Sequence, residues 1–339
     1  MRYKLLGKSG LRVSELALGT MTFGEDWGWG ASRAESGRIF EAFCQAGGNF
    51  IDTSCNYTEG SAEKFVGEFI ATDRDSFIVA TKYSLRPNSA NQNDPNAGGN
   101  SRKNLFRSVE TSLKRLNTDY IDLLYLHMWE YMTPIEEVMR GLDDLVRQGK
   151  VLYIGFSDTP AYIIAKANLL AQFHGLAPVA AIQLPYSLAS RDPERELLPY
   201  AKEDGIAVTA WGLLSGGVLT GKYRDPQAVK RYESAGERSL SIADQVGEIA
   251  REIGCTPAQV AIRWVYQQQE KAKIIPILGA RTLPQMEENL GTLDLELNSE
   301  QLAKIDAISG FRIGFPRDFL MGDEVLHLVH GNTYPLIDR

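Results

Sequence analysis

The sequence predicts a single domain, residues 1–339, folded as an eight-stranded (β/α)8 TIM barrel. Eight short apolar runs rich in β-branched residues alternate with longer segments of helical period, which is typical of parallel strands joined by crossover helices. The runs are apolar throughout, as expected for strands buried on both faces. An open doubly wound sheet is disfavoured because the first run, ELALG, does not continue into G-x-G-x-x-G. The predicted strands are residues 15–19, 49–54, 77–82, 121–127, 151–157, 180–186, 206–211 and 273–279.

Three segments lie outside this alternation. Residues 1–14 place a Gly-Lys-Ser-Gly turn between short apolar stretches, which predicts a β-hairpin at the lower end of the barrel. Residues 83–100 are rich in Asn, Pro, Gly and Ser and predict a long loop, and loops of that length are usually functional or disordered. Residues 311–339 form an extended C-terminal tail.

Capping motifs predict where several helices begin. Residues 133–136, Thr-Pro-Ile-Glu, have the pattern of a capping box with proline in the first turn, and residues 256–259, Thr-Pro-Ala-Gln, repeat it. A third box is predicted from Thr282 and Gln285 ahead of the last helix of the barrel.

Composition excludes several classes of partner. The formal net charge of −7 and the pI near 5.3 argue against nucleic acid, because proteins that bind it usually carry a basic surplus or a basic stripe. The sequence has no span of about 18 uncharged apolar residues, the length needed to cross a bilayer. The opening MRYKLLGKSGLRV lacks the apolar run of a signal peptide. We therefore expect a cytoplasmic protein with a small-molecule substrate and no membrane partner; a homo-oligomer stays open.

Cysteine and histidine usage predicts neither disulfides nor a metal site. The three cysteines, Cys44, Cys55 and Cys255, are odd in number and widely separated, so we expect reduced thiols. The four histidines form no pair beside a cysteine or carboxylate at zinc-like spacing, so no metal is expected.

Polar side chains recur where the predicted strands end. In a (β/α)8 barrel these carboxyl ends meet at one rim, which is where barrel enzymes carry their active sites. A single Asp or Lys after a strand is more often a helix cap or a solvated charge, so the joint pattern carries the prediction. The residues are Asp52, Lys82, His127, Ser157, Gln183, Trp211 and Arg281.

Three of these segments resemble the aldo-keto reductase superfamily: FIDTSCNY (50–57), ATK (80–82) and LLYLH (123–127). The resemblance extends in order and spacing over roughly residues 1–310. The opening LGKSGLRVSELALGTMTFG (6–24) is similar to the branch that holds bacterial reductases and potassium-channel β subunits. The resemblance implies a nicotinamide-dependent reductase of aldehydes and ketones.

The residues in these segments suit the chemistry of carbonyl reduction, which leaves an alkoxide that must be protonated as it forms. Tyr57 is the predicted general acid, and because a free tyrosine has a pKa of about 10, Lys82 is expected to lower that value. Asp52 would keep Lys82 charged, and His127 would orient the carbonyl and stabilise its developing charge.

Structural roles stay open for each of these four side chains. Tyr57 could be a packed loop aromatic, Asp52 a helix cap, Lys82 a solvated charge and His127 a satisfied core histidine.

The resemblance also implies a nicotinamide held over the barrel mouth. GFSD (155–158) looks like the family's Gly-x-Ser-Asn, so Ser157 and Gln183 are expected to hold the carboxamide. Asp158 departs from that pattern, since it can accept from the carboxamide NH2 but cannot donate to its oxygen. It could equally cap the helix that follows. Trp211 would stack on the nicotinamide ring, or alternatively pack the top of the barrel.

Two further segments resemble the family's phosphate and adenosine sites. GLLSGGVLTGKY (212–223) offers glycines and backbone N–H groups to a pyrophosphate, and Tyr223 excludes a Walker-type loop. In IPILGARTLPQMEENL (275–290) Arg281 would pair with a 2′-phosphate, which favours NADPH (NADP+) over NADH. Gln285 and Asn289 would contact adenine. The complete set of predicted cofactor residues is Gly19, Thr20, Met21, Asp52, Ser157, Asp158, Gln183, Trp211, Gly212, Leu214, Gly217, Gly279, Arg281, Gln285, Glu288 and Asn289.

The predicted substrate pocket is aromatic. Phe23, Trp27 and Trp129, with Trp29 and Tyr131, follow the first and fourth strands and favour aryl or bulky apolar carbonyls, unless they merely pack the loops. Two other functions stay open: a regulatory subunit that binds the cofactor as a redox sensor with little turnover, and a barrel isomerase or lyase acting on phosphorylated sugars.

Overall fold

The computed structural model describes residues 1–338 and confirms the predicted (β/α)8 barrel. Within those residues the strands are β1 (Tyr3–Leu5), β2 (Arg12–Ser14), β3 (Ala17–Gly19), β4 (Phe50–Asp52), β5 (Ile78–Tyr83), β6 (Ile121–Leu126), β7 (Val151–Ser157), β8 (Val179–Pro185), β9 (Ala207–Trp211) and β10 (Lys273–Gly279). The last eight are parallel and close in the order β10-β3-β4-β5-β6-β7-β8-β9. All eight predicted runs therefore became barrel strands.

Helices cover the outside of the barrel. Their bounds are α1 (Arg33–Gln45), α2 (Ser61–Ile70), α3 (Arg102–Leu116), α4 (Ile135–Arg147), α5 (Ala161–His174), α6 (Leu197–Asp204), α7 (Glu237–Ile253), α8 (Pro257–Gln267), α9 (Leu283–Leu290), α10 (Ser299–Ile308), α11 (Arg317–Leu320) and α12 (Asp323–His330). The larger apolar core lies between these helices and the outward faces of the strands.

A second, smaller core fills the barrel from below. The N-terminal hairpin is confirmed: β1 and β2 pair antiparallel, with Tyr3 opposite Ser14. Leu6 and Val13 are fully buried and pack against inward-facing strand residues such as Phe50. The hairpin thus closes the lower end and leaves the carboxyl ends of the strands as the open face.

Two of the three predicted capping boxes are wrong. The box at Thr256 and Gln259 forms as predicted at the start of α8. At α4, however, the N-cap is Pro134 and Thr133 caps nothing, since a residue before proline is held extended and outside the first turn. At α9, Gln285 accepts from the backbone N–H of Arg281 at 2.9 Å, not from that of Thr282.

The predicted long loop joins β5 to α3 and is held by hydrogen bonds at its base and near its tip. At its base, Asn100 donates from Nδ2 to the Ser84 hydroxyl at 2.9 Å. Nearer its tip, the Glu59 carboxylate accepts from the backbone N–H groups of Ser89 at 2.8 Å and Asn88 at 3.3 Å. Glu59 follows β4, so this loop is attached to the rim where the candidate site lies.

The C-terminal tail carries α11 and α12 but contributes no buried side chain over residues 311–338. Its attachment to the barrel includes Arg195, whose guanidinium donates to the carbonyl oxygens of Arg312 at 3.0 Å and Ile313 at 2.8 Å. Among residues 1–338, no helix combines the length and the apolar character needed to span a bilayer.

Candidate active site

Strand register brings the predicted polar residues to one rim. Asp52, the last residue of β4, lies beside Gly19 of β3 and Ala80 of β5. On the opposite side of the barrel, Ser157 of β7 is paired with Gln183 of β8. The side chains named in the sequence analysis therefore face the same opening.

A buried ion pair lies at the centre of this rim. Lys82 Nζ donates to Asp52 Oδ2 at 2.7 Å, to the Thr53 carbonyl oxygen at 2.8 Å and to Tyr57 Oη at 3.3 Å, so its three protons all have partners. The other Asp52 oxygen accepts from Gln183 Nε2 at 2.8 Å. The Lys82 and Asp52 side chains are 0% and 4% exposed, which excludes a solvated lysine.

Tyr57 is turned towards Lys82 by an unusual stretch of backbone. After Tyr57 the chain enters the left-handed region at Thr58 (φ 44°) and Glu59 (φ 56°), which is costly for residues with a Cβ. Thr58 offsets this cost because its hydroxyl donates to the Phe23 carbonyl oxygen at 2.5 Å and accepts from the Ala62 N–H at 3.1 Å. The turn leaves the Tyr57 ring centroid 4.9 Å from Lys82 Nζ.

The net shift in the Tyr57 pKa differs from our expectation. Burial raises the pKa of Tyr57, and although the Lys82 ammonium lowers it, the net direction is upward. For Lys82, burial alone would lower the pKa, but the Asp52 carboxylate and Tyr57 raise it further, so the ammonium persists. Lys82 therefore acts in the predicted direction on the Tyr57 pKa, but burial outweighs it in the protein alone.

His127 lies directly after β6 and is neutral. Burial and the nearby Lys82 ammonium hold the pKa of His127 well below its usual range. Its backbone N–H donates to the Tyr83 carbonyl oxygen at 3.0 Å, and its ring meets the Tyr57 ring edge-on with centroids 6.0 Å apart. The ring nitrogen Nδ1 lies 3.1 Å from the hydroxyl of buried Ser54.

Some of the side chains predicted to bind the nicotinamide are buried or already paired within the protein. Ser157 is buried at the end of β7. Gln183 already donates one of its two amide N–H bonds to Asp52. Asp158 is not a helix cap, because α5 begins with Pro160 at its N-cap. Burial raises the pKa of Asp158, and the nearby Trp211 indole N–H lowers it in part. Trp211 remains 40% exposed at the end of β9, so its ring is available to a ligand.

The phosphate side combines a glycine-lined turn with two cations. Gly216 and Gly217 have φ of 67° and 89°, and a Cβ on Gly217 would lie 2.5 Å from the Lys222 side chain. Burial lowers the pKa of Lys222, and the charge of the nearby Arg281 guanidinium lowers it further. No acidic side chain among residues 1–338 forms a salt bridge with either one.

The remaining predicted cofactor residues differ in accessibility. Asn289 is buried and donates to the Gly279 carbonyl oxygen at 3.2 Å, so its amide holds the end of β10. Thr20 is buried with its hydroxyl on the Asp52 carbonyl oxygen at 3.0 Å. Gly19 and Asp52 are buried as well, whereas six other members keep at least part of their surface exposed: Met21, Gly212, Leu214, Gly279, Gln285 and Glu288.

Indole rings form one wall beside Tyr57. Trp27 meets Tyr57 edge-on with ring centroids 6.4 Å apart, and it packs at a tilt against Trp29 with centroids 5.7 Å apart. Trp27 Nε1 donates to Glu59 at 3.1 Å. Phe23 does not belong to this wall, because it is fully buried in the core against Phe69.

Trp129, which follows β6 and contacts Tyr131, has an unusual indole. Its Nε1 is buried and has no hydrogen-bond partner among residues 1–338. Buried indole N–H groups usually have one, so this unpaired donor is an exception within residues 1–338.

Sequence reasoning missed four polar side chains of the site. Ser54 and Asn56 lie inside the segment that contains Asp52 and Tyr57, and Glu59 follows it. Ser54 contacts His127, 73 residues away, and Glu59 binds Trp27 and the backbone of Asn88 and Ser89, so their partners are distant in sequence. Lys222 was considered only as part of a Walker-type loop. Its neighbour Arg281 is 59 residues away along the chain, so no local pattern could have paired them.

Fold and rim together define an oxidoreductase built on a (β/α)8 barrel. The chain belongs to the aldo/keto reductase family, whose sequence pattern it matches over residues 15–310. It is 36% identical over 323 residues to a norsolorinic acid reductase of Aspergillus flavus, covering 93% of this chain and 83% of that protein. It is 36% identical to an aryl-alcohol dehydrogenase [NADP(+)] of Phanerodontia chrysosporium, covering 97% and 89%. A putative aryl-alcohol dehydrogenase of Saccharomyces cerevisiae is 34% identical, covering 95% and 90%.

Proposed function

We propose that this enzyme reduces aromatic aldehydes or ketones to alcohols with NADPH, using Tyr57 as the proton donor. The observation that carries the proposal is the hydrogen-bonded series Asp52–Lys82–Tyr57, in which Asp52 and Lys82 are buried and Tyr57 is half-buried, with neutral His127 beside it. Family membership limits the chemistry to oxidation and reduction, which sets aside the isomerase or lyase alternative.

The charge states of this series suit a reduction. When bound, NADPH supplies the hydride that reduces the carbonyl carbon. Tyr57 donates its proton to the carbonyl oxygen as negative charge develops there. Its raised pKa keeps the phenol protonated near pH 7, and an alkoxide is a far stronger base than a phenolate, so the transfer runs downhill. Lys82, 3.3 Å away, stabilises the phenolate that remains.

The preference for NADPH rests on Arg281 and Lys222. Two neighbouring cations without acidic partners form a site that a 2′-phosphate would neutralise. The relative from Phanerodontia chrysosporium carries NADP(+) in its name, which agrees with this assignment. The pyrophosphate is assigned to the glycine turn at 216 and 217, which packs against Lys222, and the exposed ring of Trp211 offers a surface for the nicotinamide.

An aromatic substrate is proposed from the indole wall. Trp27 contacts both Tyr57 and Trp29, and Trp129 follows the end of β6 and contacts Tyr131. Flat aromatic carbonyls fit such a wall because ring pairs favour edge-on or offset contact. The relatives named for aryl alcohols and for norsolorinic acid agree with this class.

The test is a steady-state screen of aromatic and aliphatic aldehydes with NADPH and with NADH. We expect sustained NADPH oxidation with aromatic aldehydes. Arg281→Ala should raise KM for NADPH about 10- to 100-fold, since hydrogen bonds to charged groups are worth about 1.5–3 kcal/mol, and should leave NADH kinetics nearly unchanged. Arg251→Ala, a surface change on α7, is the matched control.

Cofactor binding without turnover of any carbonyl compound would refute the reductase and favour the redox-sensing alternative. An equal loss for NADPH and NADH in Arg281→Ala would refute the assignment of the 2′-phosphate site.

A further inference from the structure

The carboxylate of Glu59 joins three loops of the rim. Glu59 itself lies in the loop after β4, two residues beyond Tyr57. Its Oε1 accepts from Trp27 Nε1 at 3.1 Å and from the Asn88 N–H at 3.3 Å, and its Oε2 accepts from the Ser89 N–H at 2.8 Å. Trp27 belongs to the loop after β3, whereas Asn88 and Ser89 belong to the loop after β5. One side chain therefore links the loops that follow three consecutive barrel strands.

The outer part of the loop after β5, residues 87–93, depends on this carboxylate. The other hydrogen bonds of these residues stay within the loop, such as the one from Gln92 Nε2 to the Asn88 carbonyl oxygen at 2.7 Å. Within residues 1–338, only the bonds to Glu59 join residues 87–93 to another part of the chain. Arg107 of α3 holds the loop further on, at the Asn96 carbonyl oxygen. Without Glu59, residues 87–93 would lose their polar attachment to the barrel.

The same carboxylate fixes the position of the Trp27 ring. That ring meets Tyr57 edge-on with centroids 6.4 Å apart and packs at a tilt against Trp29 with centroids 5.7 Å apart. The indole N–H is the only polar group of a tryptophan side chain, and here Glu59 is its acceptor. Apolar contact alone leaves a loop aromatic free to slide, so the bond to Glu59 sets where the indole wall stands beside Tyr57.

The backbone at Glu59 shows that this side chain is present at a cost. Glu59 has φ 56° and ψ 20°, in the left-handed region, which glycine and asparagine adopt more readily than glutamate. A turn that had no use for the carboxylate would be more stable with glycine or asparagine at this position. The three hydrogen bonds of the carboxylate offset the backbone cost.

We propose that Glu59 is a positioning residue that holds Trp27 and residues 87–93 against the turn carrying Tyr57, and that the wall held in this way favours aromatic over aliphatic carbonyl substrates. This inference rests on the proposed reductase function, because it assigns the specificity of the same site. An aromatic ring gains contact from an indole held in place, whereas a short aliphatic chain reaches little of it. Glu59 should therefore affect the binding of aromatic substrates more than the chemical step.

Glu59→Gly and Glu59→Asn test this role. Both replacements suit the left-handed backbone, so the turn should keep its shape, and neither side chain can reach all three donors. Asn117→Gly is the matched control. Asn117 is an exposed residue in the same backbone region, with φ 51° and ψ 52°, and it ends α3 just before β6, at the end of the barrel opposite the rim.

Two measurements on the full-length protein separate attachment from specificity. In hydrogen–deuterium exchange followed by mass spectrometry, peptides that contain residues 87–93 should exchange about 10-fold faster in both Glu59 variants, since two amides lose a charged acceptor. With NADPH, KM for benzaldehyde should rise about 10-fold, as for the loss of one hydrogen bond to a charged group. KM for propanal, KM for NADPH and kcat with either aldehyde should change less than about twofold, and Asn117→Gly should match the wild type throughout.

Unchanged exchange of residues 87–93 in both Glu59 variants would overturn the attachment. An equal rise in KM for benzaldehyde and propanal, or a fall in kcat alone, would overturn the role in specificity. Exchange needs no turnover, so a wild type that reduces neither aldehyde would refute the reductase function, while faster exchange in the Glu59 variants would still support the attachment of the loop.

Discussion

Replacing Lys82 with methionine should destabilise the fold strongly. The side chains of Lys82 and Asp52 are 0% and 4% exposed and meet at 2.7 Å, so each charge depends on the other for solvation. Without the ammonium, the Asp52 carboxylate keeps its bond from Gln183 but loses its counter-ion. Leaving one partner of a buried pair uncompensated costs about 3–5 kcal/mol, against a typical total stability of about 5–15 kcal/mol.

Urea unfolding of four proteins, followed by far-UV circular dichroism, measures this cost. They are the wild type, Lys82→Met, Asp52→Asn and the double variant. We expect Lys82→Met to lose about 3–5 kcal/mol of unfolding free energy, and the double variant to recover more than half of that loss, because no buried charge remains. A loss below about 1 kcal/mol in Lys82→Met would refute the reasoning, and so would a double variant less stable than Lys82→Met.

Three further predictions follow from burial and protonation. Burial raises the pKa of Cys44 and of Cys55 to about 12, so at pH 8 both should react with a thiol reagent far more slowly than in unfolded protein; rapid labelling would contradict their burial. The pKa of His127 is held well below its usual 6.5, so below pH 6.5 the unfolded protein binds a proton here that the folded protein does not. The full contribution of His127 to the free energy of unfolding is therefore present above pH 6.5 and is lost as the pH falls below 6.5. Urea titrations of His127→Gln between pH 6.5 and 5 should show a pH slope shallower than the wild type by up to about 1.4 kcal/mol per pH unit; parallel slopes would contradict this. Deleting residues 322–339 should change unfolding free energy by less than about 1 kcal/mol, because residues 322–338 bury no side chain; a larger loss in urea would show that the tail packs.

The barrel was predictable because its signal is repeated and local. Each parallel strand is buried on both faces, so it reads as an apolar run, and eight such runs alternate with segments of helical period. Individual helix starts were less predictable, since the box expected at Thr133 failed where the following proline set the backbone.

The sequence predicted the positions of only those site residues that lie at the ends of barrel strands. Asp52, Lys82 and His127 reach one rim because parallel strands end there together. Phe23 was misplaced, because a loop aromatic can point into the core or into the mouth and its sequence position does not say which. The net shift in the pKa of Tyr57 could not be predicted from the sequence either. It is the difference between the rise caused by burial and the fall caused by the Lys82 ammonium, and both depend on the folded structure.

Single-turnover reduction of an aromatic aldehyde by the Tyr57→Phe variant tests the central claim most directly. Lys82 keeps its bonds to Asp52 and to the Thr53 carbonyl oxygen in this variant, so the fold should survive. Removal of the proton donor should slow NADPH oxidation about 100- to 10,000-fold while the Kd for NADPH, measured by fluorescence, stays the same. A variant that reduces the aldehyde at the wild-type rate would show that the proton comes from another group.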